Sequence, residues 1–186
     1  MKGFSGWLLR RLGWHVEGEL PGLRQYLIIA GPHTSNWDFV MGMLARTALG
    51  QKVRFLGKHQ LFRFPFGWLF RALGGYPVVR HRANALVAQV VQYFRDEPDF
   101  VLGLAPEGTR SPVKRWKLGF YHIAREAGVP VVMVGLDFGR RRFVISEPLW
   151  PGEEMEADLD QIRTFFLGIT GRHPKVIPPG LGYFQD

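Results

Sequence analysis

The side chains best suited to chemistry lie in the segment GPHTSNWD, residues 31–38, where a short apolar run meets a helical pattern. Ser35 is a typical helix N-cap residue, and Asp38 then falls at the third helical position, the spacing of a capping box with Asp in place of Glu. His33 lies just outside the helix, where the turning chain can bring its imidazole against the carboxylate of Asp38. An imidazole oriented by a carboxylate can act as a general base on a hydroxyl group. Because a histidine beside a capped helix can also be purely structural, this segment alone leaves both interpretations open.

A second polar segment, LAPEGTRS at residues 104–111, directly follows an apolar run that is typical of a buried strand. Because ligands of open α/β sheets bind at the carboxyl ends of strands, we expect this loop and the His33 loop to face one crevice. Glu107 supplies a carboxylate, and the planar guanidinium of Arg110 suits a phosphate group. The segment is not a phosphate-binding P-loop, which has further glycines and a Gly-Lys-Ser/Thr ending. Taken alone, it could equally be a surface turn with an incidental ion pair.

Basic side chains also stand at other predicted strand ends. Arg80 ends the strand of GGYPVVRH on the same side of the sheet, and Lys58 and His59 follow the strand VRFLG and could add to a phosphate pocket. The sequence contains no cysteine, which excludes disulfides, thiolate metal sites and a cysteine nucleophile. Ser35 and Ser111 lack the Gly-x-Ser-x-Gly elbow of a serine nucleophile. Any ester or thioester chemistry would therefore be a direct transfer or use an unusually placed serine.

Alternating strand and helix patterns supply the scaffold for these loops. We predict strands at residues 25–31, 53–57, 76–80, 100–105, 129–138 and 141–146. We predict helices at residues 3–14, 36–49, 82–95, 118–127 and 153–169, and a broken helix at 61–75. The alternation predicts a single α/β domain over residues 1–186, with a mainly parallel, mixed sheet flanked by helices. The tail after Pro174 is expected to be irregular and to pack across this domain.

The charge of the chain is unevenly distributed. Residues 1–95 contain 13 Lys and Arg against 3 Asp and Glu, whereas residues 96–186 contain 11 against 13. This imbalance indicates an anionic partner for the first half, such as a membrane surface, a phosphorylated small molecule or a nucleic acid. The basic residues alternate with Trp and Phe, which suits a lipid interface better than RNA, and no nucleic-acid motif supports the last alternative.

A membrane could be contacted through two aromatic segments. Residues 1–14 form an amphipathic helix that either packs on its own domain or serves as an interfacial anchor. The stretch 61–70 is either plain core, the lining of an acyl groove or a lipid contact. No apolar run is long enough to span a bilayer, and Arg10 and Arg11 interrupt what would be the apolar part of a signal peptide. We therefore expect a cytoplasmic protein that lies peripherally on an anionic membrane.

Taken together in order, these segments resemble the glycerolipid acyltransferases typified by lysophosphatidic acid acyltransferase. The family's His-x4-Asp motif matches His33 to Asp38, and a glycine-led strand ending in Arg matches Gly74 to Arg80. Its Phe-Pro-Glu-Gly-Thr-Arg-Ser motif matches residues 106–111, with Ala105 in place of Phe, and its apolar Val-Pro strand matches Val129 and Pro130. The resemblance covers a motif core of about residues 28–135 and implies a glycerol-3-phosphate acyltransferase-like fold.

The resemblance implies a one-step reaction without metal or bound cofactor. His33, oriented by Asp38, would deprotonate an acceptor hydroxyl, which attacks a fatty acyl thioester of coenzyme A or acyl carrier protein. The acceptor would be a lysophospholipid or another hydroxyl compound. With Lys58 added from its strand end, the substrate-binding residues would be Arg80, Glu107, Gly108, Thr109, Arg110 and Lys58. Two alternatives remain open: a different polar or lipid acceptor, and a non-catalytic membrane module that has kept the fold.

Overall fold

The computed structural model describes residues 3–78 and 83–178. Its helices are α1 (Gly3–Arg11), α2 (Asn36–Leu49), α3 (Gly67–Ala72), α4 (Ala83–Asp96), α5 (Gly119–Ala127) and α6 (Met155–Leu167), with a 3-10 helix at His59–Phe62. Its strands are β1 (His15–Glu17), β2 (Tyr26–Gly31), β3 (Val53–Lys58), β4 (Gly75–Val78), β5 (Val101–Leu104), β6 (Val131–Asp137) and β7 (Arg142–Ile145).

The described strands form one seven-stranded sheet in the order β1-β7-β6-β2-β5-β3-β4. Strand β2 pairs in parallel with both β5 and β6, β3 pairs in parallel with β5 and β4, and only the β6–β7 pair is antiparallel. The predicted fold class, a mainly parallel mixed sheet in an α/β domain, is therefore confirmed. The parallel pairing places the carboxyl ends of β2, β3, β4, β5 and β6 at the same edge of the sheet.

Helices cover both faces of this sheet because its central strands are apolar on both sides. The alternate residues Leu27 and Ile29 of β2 belong to the larger core, which includes α4, α5 and α6. On the opposite face, Met41 and Ala45 of α2 pack in a second cluster against β6 and β7. The result is a three-layer sandwich in which the loop from β2 to α2 crosses the top of the sheet.

The two outermost strands are short. Among the described residues, β1 has three residues and pairs only with β7, and β4 has four and pairs only with β3. Strand β4 contains Pro77, whose carbonyl oxygen accepts hydrogen bonds from Gln89 and from the hydroxyl of Tyr93 at 3.3 and 3.2 Å. Strand β1 was not predicted, since three residues are too few for a recognisable alternation.

Helix α1 packs on the domain by one face and exposes another. Leu9 is fully buried, whereas Phe4 and Trp7 lie in contact with each other at 73 % and 52 % exposure. The helix predicted over residues 3–14 is shorter in the structure, and Trp14 lies outside it. The helix ends at Arg11 and the chain turns at Gly13, with φ of 78°, so Trp14 enters the core beside the ring of Phe138.

No helix in the described ranges is both long and apolar enough to cross a bilayer.

The packing of α1 predicts that two substitutions in the same helix differ strongly in their effect on stability. Leu9→Ala should lower the free energy of unfolding by about 2–5 kcal/mol, because it opens a cavity between α1 and the domain. The matched change Trp7→Ser, on the exposed face, should alter it by less than about 0.5 kcal/mol. Denaturant unfolding measures both, and equal effects would show that α1 is not docked through Leu9.

Candidate active site

His33 lies between β2 and α2, at the edge where the parallel strands end. Its Nδ1 atom is 3.0 Å from Oδ2 of Asp38. This contact arises because α2 begins with a capping box: Ser35 is the N-cap, its hydroxyl accepts from the backbone N–H of Trp37, and Asp38 at the third position accepts from the backbone N–H of Ser35. The imidazole is partly exposed, and His33 lines a cavity.

Asp38 is a buried carboxylate held in its charged form. Burial by itself raises its pKa, but the hydrogen bonds from His33 and from the backbone N–H groups of Ser35 and Thr34 outweigh burial and bring the pKa below its usual value. The donors to Oδ2 lie at 2.6 Å for Thr34 and 2.8 Å for Ser35. The carboxylate therefore remains an anion that can orient the imidazole and stabilise an imidazolium.

Glu107 belongs to the loop after β5 and is turned toward the His33 loop. It is 2 % exposed, and its Oε1 accepts from the backbone N–H of His33 at 2.9 Å. Its Oε2 forms an ion pair with Lys175 of the C-terminal tail. In this arrangement both carboxylate oxygens of Glu107 face protein groups; its predicted role in holding an acceptor stays a prediction.

The remainder of the Glu107 loop is exposed above the start of α2. The guanidinium of Arg110 donates to the side-chain oxygen of Asn36, the first residue of α2. Gly108 has a φ of 66°, a conformation that favours glycine, and both Gly108 and Lys117 line the cavity beside His33. The structure therefore brings Gly108, Thr109 and Arg110 to the same edge as His33.

The structure does not describe the side chains of two predicted site residues, Arg80 and Lys58. Arg80 lies outside the described residues, so its predicted position at the end of a strand is untested. Lys58 is the last residue of β3 and pairs in register with Val78. Its backbone is therefore at the carboxyl edge of the sheet, while its side chain lies outside the described part of the structure.

A cavity of about 750 Å³ extends from His33 and Asp38 and is lined by residues of the sheet and of α2, α4 and α5. Its walls include residues from both ends of α2, Asp38 and Leu49, which are separated by about 16 Å along the helix axis at the usual helical rise. Apolar side chains dominate the lining, and at Gly42 the missing side chain leaves open space. The size is within the range of small-molecule sites, and the shape suits a long apolar group.

A scan against protein-family models matches residues 13–137, more than half of the chain, to the family described as acyltransferase. The chain belongs to the acyltransferase family. Its fold is similar to the crystal structure of the 1-acyl-sn-glycerophosphate (LPA) acyltransferase PlsC from Thermotoga maritima, with a TM-score of 0.57 and 22 % identity over 87 % of this chain and 75 % of that one. No curated protein matches the sequence significantly.

Sequence reasoning missed one residue of this acyltransferase that contacts both site loops. The tail after Pro174 was expected to be irregular and to pack across the domain, and residues 175–178 do so. The ammonium of Lys175 donates to the carbonyl oxygens of His33 and Thr109 at 2.8 and 3.1 Å. No motif marks this lysine, and it is 142 positions away from His33 in the chain. Only the general expectation that the tail crosses the domain could have suggested it.

Over the described ranges, no group of three His, Asp or Glu side chains comes together as a metal ion would require. The polar groups around His33 are instead paired with each other or with backbone atoms.

The lowered pKa of Asp38 predicts how the stability of this acyltransferase depends on pH. Because the folded state favours the carboxylate more than the unfolded state does, its contribution is fully present above the ordinary value of 3.8 and is lost as the pH falls through the folded pKa. The difference in unfolding free energy between wild type and Asp38→Asn should therefore shrink between pH 5 and pH 2. Denaturant unfolding at several pH values measures it, and exposed Asp160→Asn controls for loss of a surface charge. A pH-independent difference would contradict the assignment.

Proposed function

We propose that this acyltransferase moves a fatty acyl group from a thioester to a hydroxyl of a lysophospholipid such as 1-acylglycerol-3-phosphate. One observation carries the proposal: an imidazole held by a carboxylate lies at the wall of a long apolar cavity. The imidazole suits proton removal from a hydroxyl, and the cavity suits an acyl chain, which would gain about 0.8 kcal/mol for each buried methylene. The similarity in fold to an LPA acyltransferase supports the same acceptor class.

In the proposed reaction His33 acts once as a base and once as an acid. With Nδ1–H donating to Asp38, Nε2 accepts the proton of the acceptor hydroxyl as its oxygen forms a bond to the thioester carbonyl carbon. The tetrahedral intermediate then collapses, the carbon–sulfur bond breaks, and the departing thiolate takes the proton from the imidazolium. The products are an ester and a free thiol, so no metal or redox group is needed to balance the reaction. Asp38 stabilises the transient positive charge on the ring.

The acceptor would lie at the exposed rim above the start of α2. Arg110, whose planar guanidinium can bind a phosphate with two hydrogen bonds, is anchored there by Asn36. Gly108 and Thr109 belong to the same loop. Lys58, the last residue of β3, and Arg80, which the sequence predicts at the end of the neighbouring strand, would add positive charge. This group of basic residues favours a phosphorylated acceptor over a neutral alcohol.

A direct assay decides between this proposal and its alternatives. Purified protein would be incubated with labelled acyl-CoA or acyl carrier protein thioester, together with 1-acylglycerol-3-phosphate, other lysophospholipids and neutral alcohols. We expect ester formation with the phosphorylated lysolipid and release of one thiol per ester. Transfer to a different acceptor only would show that the proposed acceptor is wrong and that the protein is nevertheless an active acyltransferase. The absence of transfer with every pair, in protein that still binds lipid, would favour a non-catalytic lipid-binding module.

The pairing of His33 with Asp38 predicts the effect of two substitutions. His33→Ala should lower the turnover number by at least about 100-fold, because it removes the base from a partly exposed loop position without opening the core. Asp38→Asn should also lower turnover strongly, since the amide no longer favours the reactive tautomer. His15→Ala, at the exposed edge strand β1, is the matched control. Turnover near wild type in folded His33→Ala would exclude His33 as the base.

We also propose that the acyltransferase docks peripherally on the cytoplasmic face of an anionic membrane. The segment after the 3-10 helix exposes Phe64, Phe66 and Trp68 at 97 %, 63 % and 70 %, between the basic residues Arg63 and Arg71. Aromatic rings at headgroup depth together with cations that meet lipid phosphates form a typical interfacial surface.

Other exposed apolar groups extend this surface toward the site. Trp37 and Phe39, in the first turn of α2, are 51 % and 47 % exposed, and Phe39 packs edge-on against Phe55. Arg46 of α2 donates to the carbonyl oxygen of Leu73, which holds the aromatic segment beside the helix. A membrane at this surface would lie close to the rim where a lysolipid acceptor enters.

The docking surface predicts a selective loss of vesicle binding. The double variant Phe64→Ser and Trp68→Ser should bind vesicles containing anionic lipid at least about tenfold more weakly, while keeping its folded state. Trp150→Ser, at another exposed tryptophan, is the control and should bind as wild type does. Cosedimentation also tests the electrostatic part: binding should rise with anionic lipid and fall with salt. Wild-type protein that fails to sediment at low salt would contradict docking.

A further inference from the structure

The backbone of His33 is held on both sides by one buried ion pair. Its N–H donates to Oε1 of Glu107 at 2.9 Å, and its carbonyl oxygen accepts from the ammonium of Lys175 at 2.8 Å. Oε2 of Glu107 and the ammonium of Lys175 are in direct contact. The three groups form a closed arrangement around a single peptide segment.

Burial of these two charges is unfavourable for folding, so their position suggests a role other than stabilising the fold. The side chains of Lys175 and Glu107 are 3 % and 0 % exposed. Removing a charge from water is unfavourable unless protein partners replace the solvent, so an ion pair of this kind is a poor source of stability. Burial accordingly lowers the pKa of Lys175, against the opposing influence of the nearby Asp38 carboxylate. The two charges compensate each other, and the backbone groups of His33 and Thr109 supply their further partners.

Lys175 reaches this position because the tail is fixed at several points. The backbone N–H of His173 donates to the hydroxyl of Thr34 at 3.4 Å, and Arg163 of α6 donates to the carbonyl oxygen of Pro178 at 3.2 Å. Ile177 between them is buried in the larger core. The chain after α6 thus packs on the domain, and this packing places Lys175 beside the His33 loop.

We propose that Glu107 and Lys175 are positioning residues that together fix the backbone of His33, so that Nδ1 stays on Asp38 while Nε2 faces the cavity. This inference rests on the proposed function, in which His33 is the base. It gives Glu107 a task different from the acceptor binding that sequence resemblance implies. The two roles separate kinetically: a positioning residue acts on turnover, whereas an acceptor contact acts on the Michaelis constant of the acceptor.

The test is a set of kinetic measurements on substituted full-length protein. Lys175→Met keeps the length of the side chain and removes its charge, Lys175→Arg keeps the charge, and Glu107→Gln keeps the shape of the carboxylate. We expect Lys175→Met and Glu107→Gln each to lower kcat by about 10–100-fold, the usual effect of removing a group that orients a ligand or base, with the KM for the acceptor changed less than about twofold. Lys175→Arg should recover a large part of kcat. Lys52→Met, at an exposed lysine before β3, should match wild type.

A double variant makes the test independent of misfolding. Lys175→Met alone leaves a buried, unpaired carboxylate and can unfold the protein, whereas Lys175→Met with Glu107→Gln removes both charges together. We expect the double variant to fold and to lower kcat by less than the product of the single effects, because the two residues act as a unit. Unchanged kcat in the folded double variant would overturn the proposal. A raised acceptor KM with unchanged kcat in Glu107→Gln would assign Glu107 to the acceptor instead.

An NMR measurement separates this inference from the proposed function. The proton on Nδ1 of His33, hydrogen-bonded to Asp38, should give a downfield resonance in wild type that weakens or shifts in the double variant and not in Lys52→Met. If wild-type protein transfers no acyl group, the proposed function fails, yet the resonance still reports on the positioning of the ring. An identical resonance in wild type and double variant would show that the ion pair does not position His33.

Discussion

The carboxylate of Asp38 is the point at which folding and chemistry depend on the same atoms. It accepts hydrogen bonds from the backbone at the start of α2 and from the ring of His33. The helix can begin at Asn36 because these orphan N–H groups find an acceptor, and the imidazole takes its orientation from the same acceptor. Any motion of the first turn of α2 would therefore move the ring as well. The geometry of the site is thus tied to that of a 14-residue helix, which is far more rigid than a loop.

The two loops that carry the polar residues of the site are far apart in the sequence but lie next to each other in the structure. Parallel pairing of β2 with β5 places residues 31 and 104 near the same edge, so the two following loops meet without a specific attraction between them. The attraction is then added by buried groups: Glu107 on the backbone of His33, and Arg110 on Asn36. The sheet supplies the proximity, and the hydrogen bonds supply the orientation.

The sequence predicted α2 with the same limits as the structure, since the capping residues Ser35 and Asp38 are local signals. In the structure the helix ends at Gly50, which has a left-handed conformation. The His33–Asp38 contact follows from that same local geometry. Trp14 was misplaced because a helical pattern cannot show where the chain leaves the helix at Gly13. Lys175 was missed because its contacts depend on the path of a tail that the sequence marks only as irregular. Long-range pairing of this kind has no signature in the spacing of residues.

The edges of the described sheet bear on whether two copies of this chain can pair through their backbones. An edge strand offers unpaired backbone groups to a second chain, and long, flat edges are templates for aggregation. Here one edge is a strand of three residues, and the other contains Pro77, which has no N–H to donate. The carbonyl oxygen of Pro77 is already occupied by Gln89 and Tyr93. In the part of the chain that the structure describes, two neighbouring molecules would therefore find little edge backbone with which to extend each other's sheets.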